Sequence, residues 1–357
     1  MRILFVISGL SAGGAQRSMI SVCTELSKRN DVAIYIGTWS NENDKYSIPA
    51  GINVIDYGRY EKTANSKKDY FLSILAIRRS IKNIRADIIV AVQCNMYPRV
   101  YIASRCLRVK TLVWEHTSMS RKMDFEATIA RRYLYPMADG VVVLTNKGAD
   151  IIKNKYKKSF VMPNPLPFEV YTKENNRENI VIAIGRLDVW HIKGFDTLIE
   201  IWSEINKSAR EWKLYIVGEG NDKSTKYIES LVSKYNLNDS IVLTGYRKDI
   251  PQLLQQSKIF VLPSRIEGFP MGLIEAMSQG CACVSFSIDN AVADIISNNI
   301  DGIIIEDRDC KSFVKELQEL INNEKRLQEL SSNAVENIQR FRCDKIADMW
   351  LDIFKKL

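Results

Sequence analysis

Apolar positions along this chain fall into short, β-branched runs, separated by longer stretches in which they recur every three or four residues. Runs of the first kind read as buried strands and stretches of the second as amphipathic helices. In the first half, strands are expected at Arg2 to Ser8, Val32 to Gly37, Ile88 to Val92, Thr111 to Trp114 and Val141 to Leu144. Helices are expected between them at Gln16 to Lys28, Tyr70 to Asn83, Pro98 to Leu107 and Asp124 to Tyr135. The second half repeats the alternation, with strands at Ile180 to Ile184, Lys213 to Val217, Ile241 to Thr244, Ile259 to Leu262, Ala282 to Ser285 and Gly302 to Ile305. Its helices are expected at Phe195 to Ile205, Lys226 to Tyr235, Ile250 to Gln256, Gly272 to Gln279, Lys311 to Asn322 and Lys325 to Gln339. Alternation of this kind is the signature of a parallel sheet covered on both faces, so the chain reads as two doubly wound α/β domains.

Between the halves lies Met162-Pro-Asn-Pro-Leu-Pro167, where three prolines forbid a regular helix or a central strand. The expected division is a first domain over 1–163, a linker over 164–176 and a second domain over 177–343. A last helix, 344–357, carries Ile346, Met349, Trp350, Ile353 and Phe354 on one face and is expected to pack back across the junction. Two such domains leave a cleft between the carboxyl ends of their sheets, the expected place for a nucleotide-bearing ligand.

Composition narrows the class. The chain has 357 residues, too many for one ordinary core, with 46% apolar and 26% charged residues, as in a soluble enzyme. No apolar run is long enough to span a bilayer and the N-terminus enters a strand without a signal-peptide core, which predicts a cytosolic protein. Seven cysteines, at 23, 94, 106, 281, 283, 310 and 343, form no C-x-x-C pair, and the two histidines are His116 and His191. Reduced thiols and no metal site are expected. Residues 1–170 hold 26 Lys/Arg against 14 Asp/Glu and residues 171–357 hold 24 against 28, so the net +8 is +12 minus 4 and belongs to the first half. Lys62, Lys67, Lys68, Arg78, Arg79, Lys82 and Arg85 surround the apolar Tyr70, Phe71, Leu72, Ile74, Leu75 and Ile77. That arrangement suits either an anionic lipid surface or a solvated basic face. No recognition helix, zinc pattern or aromatic RNA-binding motif supports nucleic acid.

Candidate chemistry gathers at expected strand ends. Glu267 and Glu275 bracket EGFPMGLIE, the first in a Gly/Pro loop and the second on the expected opening turn of a helix. Gly268 and Gly272 permit close backbone approach, and a helix N-terminus near Met271 points N–H groups at a phosphate. Glu275 can accept hydrogen bonds from a ribose diol and Glu267 can orient the hydroxyls of a second sugar; taken alone, they read equally as a dipole-favoured acid and a solvated loop residue. Arg186 in Gly185-Arg-Leu-Asp188, with Lys193 before Gly194, offers a guanidinium fork and a point charge suited to a diphosphate leaving group, or to surface ion pairs. Gly13 and Gly14 follow the first strand and can bring amides against an anion or simply pack strand on helix; without G-x-G-x-x-G they do not indicate a dinucleotide cofactor. His116, after Trp114 and Glu115, can hydrogen-bond a sugar hydroxyl or serve a structural role.

GGAQR near the N-terminus, the EH pair at 115–116, GRLD with Lys193-Gly194, VGEG at Val217 to Gly220, TGY at Thr244 to Tyr246 and EGFPMGLIEAMSQG occur in one order over nearly the whole chain. Together they resemble the retaining glycosyltransferase family 4, whose GT-B fold sets two Rossmann-like domains across a cleft. The resemblance implies that Arg186 and Lys193 hold the nucleotide diphosphate, that Glu275 takes the ribose, that Glu267 with the backbone of Gly268, Phe269, Pro270, Met271 and Gly272 takes the donor sugar, and that Leu273 is among the donor-binding residues. It places Gly218 of VGEG among the donor-binding residues, Tyr246 and Arg247 around the base, Gly13 and Gly14 at the phosphate from the first domain, and His116 at the donor-sugar hydroxyls. Two departures stand out: Arg186 and Lys193 are seven positions apart against the more usual five, which allows a bulged loop at Val189 to His191 to displace Lys193, and Gln16 stands where many relatives carry Glu. The implied activity is transfer from a UDP-hexose or UDP-N-acetylhexosamine to an undecaprenyl-diphosphate-linked acceptor in O-antigen or capsule assembly, peripheral on the inner face of the cytoplasmic membrane, without cofactor or metal. A sugar-nucleotide epimerase or hydrolase, or a non-catalytic sugar-nucleotide-binding protein, is the alternative.

Overall fold

The computed structural model describes residues 1–10, 13–39, 48–58, 66–119, 123, 125–153, 155–156, 158–171, 176–288 and 291–357, with the side chains of 66, 67 and 126 set aside. The chain forms two compact units, Met1–Pro167 with Phe341–Leu357, and Phe168–Arg340. The expected linker 164–176 is therefore shared: its proline end belongs to the first unit and the residues from 168 to the second.

In the first unit the elements run β1 (Arg2–Val6), α1 (Gly14–Ser27), β2 (Ala33–Thr38), β3 (Asn53–Asp56), α2 (Ser66–Ile84), β4 (Ile88–Val92), α3 (Tyr97–Ser104), β5 (Lys110–Trp114), α4 (Phe125–Ile129), β6 (Gly140–Val143), α5 (Asn146–Ile152) and β7 (Ser159–Val161). The seven strands are all parallel, in the order β3-β2-β1-β4-β5-β6-β7. Chain direction across the sheet reverses between β1 and β4, and β4 is buried at every position because helices cover both its faces. β3 and β7, unforeseen from sequence, are edge strands of four and three residues that stay partly exposed and so carry no long apolar run. α4 stops well short of the expected Tyr135: a π-helical turn, Ala130–Leu134, follows it, then a 3-10 turn at Tyr135–Met137 containing Pro136, which lacks the N–H a continuing helix needs. α5 was also unforeseen, although Thr145 caps it by accepting from the Gly148 N–H at 3.1 Å.

The second unit runs β8 (Glu178–Ile184), α6 (Trp190–Lys193), α7 (Phe195–Ile205), β9 (Lys213–Val217), α8 (Asp222–Lys234), β10 (Ile241–Gly245), α9 (Ile250–Gln256), β11 (Ser257–Leu262), α10 (Met271–Ser278), β12 (Ala282–Phe286), β13 (Ile303–Ile305), α11 (Cys310–Asn322) and α12 (Glu324–Ile338). Its six parallel strands are ordered β10-β9-β8-β11-β12-β13, with the reversal between β8 and β11. The final helix, α13 (Cys343–Lys355), belongs to the first unit. There Trp350 is fully buried, edge-on to Trp114 at 4.7 Å and to Phe5 at 6.2 Å between ring centroids, while Arg29 pairs with Asp348 at 2.7 Å.

The basic segment of the first half proves to be α2, whose Ile74, Ile77 and Ile81 are buried in the core. Its apolar stripe is thus largely spent on folding. Arg78 is spent as well, donating to the carbonyls of Ala103 and Arg105 at 2.9 and 2.7 Å. Phe71 and Leu72 remain exposed at 61% and 50%. Lys62 and the Lys67 side chain lie outside the described residues. No described helix is long and apolar enough to cross a membrane.

Candidate functional site

In the second unit the residues singled out from sequence lie in the segments that follow β8, β9, β10 and β11 at the carboxyl edge of the sheet, some in loops and some in α6 and α10. The β8 and β9 loops touch through glycine. Gly218 has φ 151°, and a Cβ there would lie 1.9 Å from the Gly185 carbonyl oxygen, so no other residue fits. Asp188 then ties the two loops together: one carboxylate oxygen accepts the Asn221 N–H at 2.6 Å and the other accepts from Arg186 at 2.9 Å. The Arg186 hydrogen bond, and next the Asn221 amide, hold the Asp188 carboxyl below its usual range. Asn221 also caps α8, its side chain accepting from Ser224 N–H at 2.9 Å, which starts that helix four residues before the expected Lys226. Arg186 itself remains largely exposed.

Lys193 is not carried on a bulged loop. Residues Leu187–Val189 form a 3-10 turn and Trp190–Lys193 one turn of α-helix, closed by Gly194 at φ 70°. A Cβ on Gly194 would stand 2.0 Å from the Pro263 carbonyl oxygen, so this corner lies directly on the β11 loop. The helical turn takes up the two extra residues and delivers the Lys193 ammonium to Glu267, Nζ to Oε1 2.8 Å. The pair joins the loops after β8 and β11, the two strands that flank the reversal of the sheet, where open α/β sheets bind their ligands. Arg265 fixes this junction: its guanidinium makes a two-pronged pair with Asp196, both contacts 2.8 Å, and donates to Thr197 and the His191 carbonyl. Its own N–H donates to Ile192 at 2.8 Å. His191, expected in a loop, is therefore part of a short helix clamped from outside.

Glu275 is the fifth residue of α10, not an opening-turn acid, and no acidic residue occupies that first turn. It is 5% exposed and lies beyond the first turn, which removes the simple reading as a first-turn acid favoured by the helix dipole. Gly272 packs against the Phe260 ring, a Cβ there meeting it at 3.3 Å. Leu273, expected among the donor-binding residues, is buried and gives its N–H to the Pro270 carbonyl at 3.0 Å. Of the neighbouring positions, Phe269 is buried. Beyond β10, Tyr246 is exposed and Arg247 makes a two-pronged pair with Asp249.

Gly13, Gly14 and His116 belong to the first unit and also lie at the carboxyl edge of its sheet. Gly13 precedes α1 in an extended conformation, and a Cβ on it would meet the Gln16 side-chain oxygen at 2.5 Å. His116 follows β5 with its ring 4.5 Å from that of Trp114, and Nε2 is sealed from water without a hydrogen-bond partner. Burial pushes its pKa down to about 3, so the imidazole is neutral. Gln93, at the end of neighbouring β4, adopts φ 76°, a strained conformation for a residue with a Cβ. Gln93 lines a cavity of about 630 Å³ together with Asn95, Arg99, Tyr70, Phe125 and Leu134.

Sequence reasoning passed over Asp188, Arg265 and Glu115 as site-forming residues. Residues 169–337 match the family model described as glycosyl transferases group 1, and residues 12–169 match that of glycosyltransferase family 4. The chain is 24% identical over 361 residues to the GalNAc-alpha-(1->4)-GalNAc-alpha-(1->3)-diNAcBac-PP-undecaprenol alpha-1,4-N-acetyl-D-galactosaminyltransferase of Campylobacter jejuni, covering 100% of this chain and 99% of that one. It is 27% identical over 371 residues to the amylovoran biosynthesis glycosyltransferase AmsD of Erwinia amylovora, covering 99% of each. Among solved structures, Anabaena HepE in complex with UDP matches with a TM-score of 0.83 at 17% identity, over 100% of both chains, a likeness of fold. Two parallel-sheet units carrying the motifs in the expected order, and two family models that between them take in residues 12–337, establish that the chain belongs to the family 4, group 1 glycosyltransferases of GT-B fold.

Proposed function

We propose that the chain is a retaining transferase that moves a hexose or N-acetylhexosamine from its UDP donor to an undecaprenyl-diphosphate-linked oligosaccharide during assembly of a bacterial surface polysaccharide, without a metal ion. The observation that carries this reading is the Lys193–Glu267 pair at the reversal point of the second sheet, with Arg186, after the same strand as Lys193, paired to Asp188. Lys193 has donors beyond the one given to Glu267, and these suit the oxygens of a diphosphate, whose charge grows as its bond to the sugar breaks. Glu267 fixes the ammonium and can accept from a donor-sugar hydroxyl, and Glu275 suits the ribose diol. Neither carboxylate needs to act as a base. The acceptor oxygen forms its bond to the anomeric carbon on the face from which the diphosphate departs, and its proton passes to the departing phosphate oxygen.

The acceptor class rests on the undecaprenol-linked substrate named for the Campylobacter jejuni relative, and the UDP donor on the nucleotide bound by the Anabaena HepE structure. The mostly apolar cavity in the first unit, with Arg99 at its wall, suits an amphiphilic acceptor. Exposed Phe71 and Leu72 beside Lys68 suit contact with an anionic membrane surface. A thermal-shift screen across nucleotide sugars, followed by sugar transfer to polyprenyl-diphosphate acceptors in the presence and absence of anionic vesicles, tests each part. Stabilisation by UDP-sugars with product formed only when acceptor is added is expected; donor turnover indifferent to acceptor sinks the transferase reading.

A further inference from the structure

Directly before His116 stands Glu115, a carboxylate only 1% exposed, at the end of β5. Its Oε1 accepts the Thr117 N–H at 2.9 Å, and its Oε2 accepts the Tyr135 hydroxyl at 2.8 Å and the Arg131 Nε at 3.2 Å. Arg131 in turn donates to the carbonyls of Thr117 and Ser118, each at 3.3 Å. One carboxylate and one guanidinium therefore hold the backbone on the C-terminal side of His116. Arg131 lies in the π-helical turn Ala130–Leu134 and Tyr135 directly follows it, so the irregular end of α4 supplies both partners. The Tyr156 hydroxyl holds that turn from behind, donating to the Arg131 carbonyl at 3.0 Å.

A buried ion pair is an expensive way to secure a loop, because both charges leave water and an apolar filling is often as stable or more so. What it offers instead is geometry, since a guanidinium bonded to a carboxylate and two carbonyls admits one arrangement. The enclosed group next to that arrangement in the chain is the His116 imidazole, whose Nε2 is buried without a protein partner.

We propose that Glu115, Arg131 and Tyr135 are positioning residues that set the place of the His116 imidazole for the transfer reaction. The proposal rests on the reading of His116 as a donor-sugar contact. Two readouts in the full chain test it. Because there are only two histidines, the imidazole signals of His116 and His191 can be followed separately by NMR during a pH titration. In the parent, His116 stays neutral down to about pH 4. In Glu115→Gln and Arg131→Lys its signals move, while those of His191 stay put. The second readout is kcat for UDP release from UDP-hexoses and UDP-N-acetylhexosamines with a polyprenyl-diphosphate acceptor present, in a cycle with His116→Ala. Glu115→Gln is expected to lower kcat about tenfold alone and to add no further loss on the His116→Ala background. Tyr135→Phe, which removes a single hydrogen bond, is the milder variant if the others fold poorly, with a smaller change in both readouts. Unmoved His116 signals in all three variants overturn the proposal, as does a kcat loss repeated in full on the His116→Ala background. Parent-like kcat in His116→Ala overturns the underlying reading of His116 and the proposal with it, whereas loss in His116→Ala alone overturns only the proposal.

Discussion

Lys193→Ala separates a catalytic cation from a structural ion pair, because its two expected effects differ widely in size. At 2.8 Å, and at the effective dielectric of about 20 that suits such sites, the gross attraction between the Lys193 and Glu267 charges is about 6 kcal/mol. Little of that survives as net stability. The lysine side chain is 25% exposed and the glutamate 12%, so water offsets part of the attraction and continues to solvate Glu267 once the lysine is gone. A destabilisation of about 1 kcal/mol follows, or roughly 2–4 °C in Tm for a unit of this size.

The catalytic effect is far larger if Lys193 compensates charge on the leaving diphosphate. Removing one fixed donor from a developing anion costs on the order of 10²–10³ in kcat, about 3–4 kcal/mol of barrier. The assay is UDP release under saturating donor and acceptor, with calorimetric Tm measured on the same preparations. Lys193→Arg supplies a control: it restores charge but puts a planar fork where a point charge fits, so partial recovery of kcat is expected. A kcat within a few-fold of the parent in Lys193→Ala refutes the diphosphate assignment. So does a loss of activity that follows the unfolded fraction.

Other perturbations test the scaffold. Gly218→Ala drives a Cβ into the Gly185 carbonyl and holds alanine at φ 151°, so a loss of about 3 kcal/mol or more is expected in thermal melts, with donor-induced stabilisation lost. Trp350→Ala empties a fully buried site between Trp114 and Phe5 and should cost about 3–5 kcal/mol, read by urea denaturation. The neutral, buried His116 makes the folded state resist a proton that the unfolded chain takes up near pH 6.5. Its folded pKa is lowered, so stability falls as pH drops from about 6.5 toward 3, by up to about 1.4 kcal/mol per pH unit. His116→Asn should flatten that limb of the Tm–pH curve. Asp188 has linkage of the same sign at lower pH: its folded pKa is depressed, so its contribution is present above about pH 3.8 and fades as the pH falls through the folded value. Asp188→Asn should remove that acid-limb dependence.

The division between what the sequence disclosed and what it withheld follows the range of the interactions. Phe195–Ile205, Lys213–Val217 and Ile250–Gln256 have the expected bounds because their burial is a matter of local period. Asn53–Asp56 and Ser159–Val161 escaped because an edge strand is recognised by its neighbour, not by its own residues. At the site, glycines and charges that interrupt apolar runs marked the loops holding Lys193, Glu267 and Gly218. The residues that fix those loops did not stand out, because their partners are far off in the chain: Asp188 acts on Asn221, 33 positions on, and Arg265 on Asp196, 69 positions back. Glu115 is the instructive middle case. It directly follows Leu112, Val113 and Trp114, each fully buried, and a carboxylate so placed needs a buried partner. Arg131, 16 positions on, supplies it from the π-helical turn to which the helix expected to continue regularly to Tyr135 gives way. The same local irregularity that defeated the helix prediction therefore provides the cation beside His116, and mutation of Arg131 should be felt more strongly than that of Arg132 in the same turn.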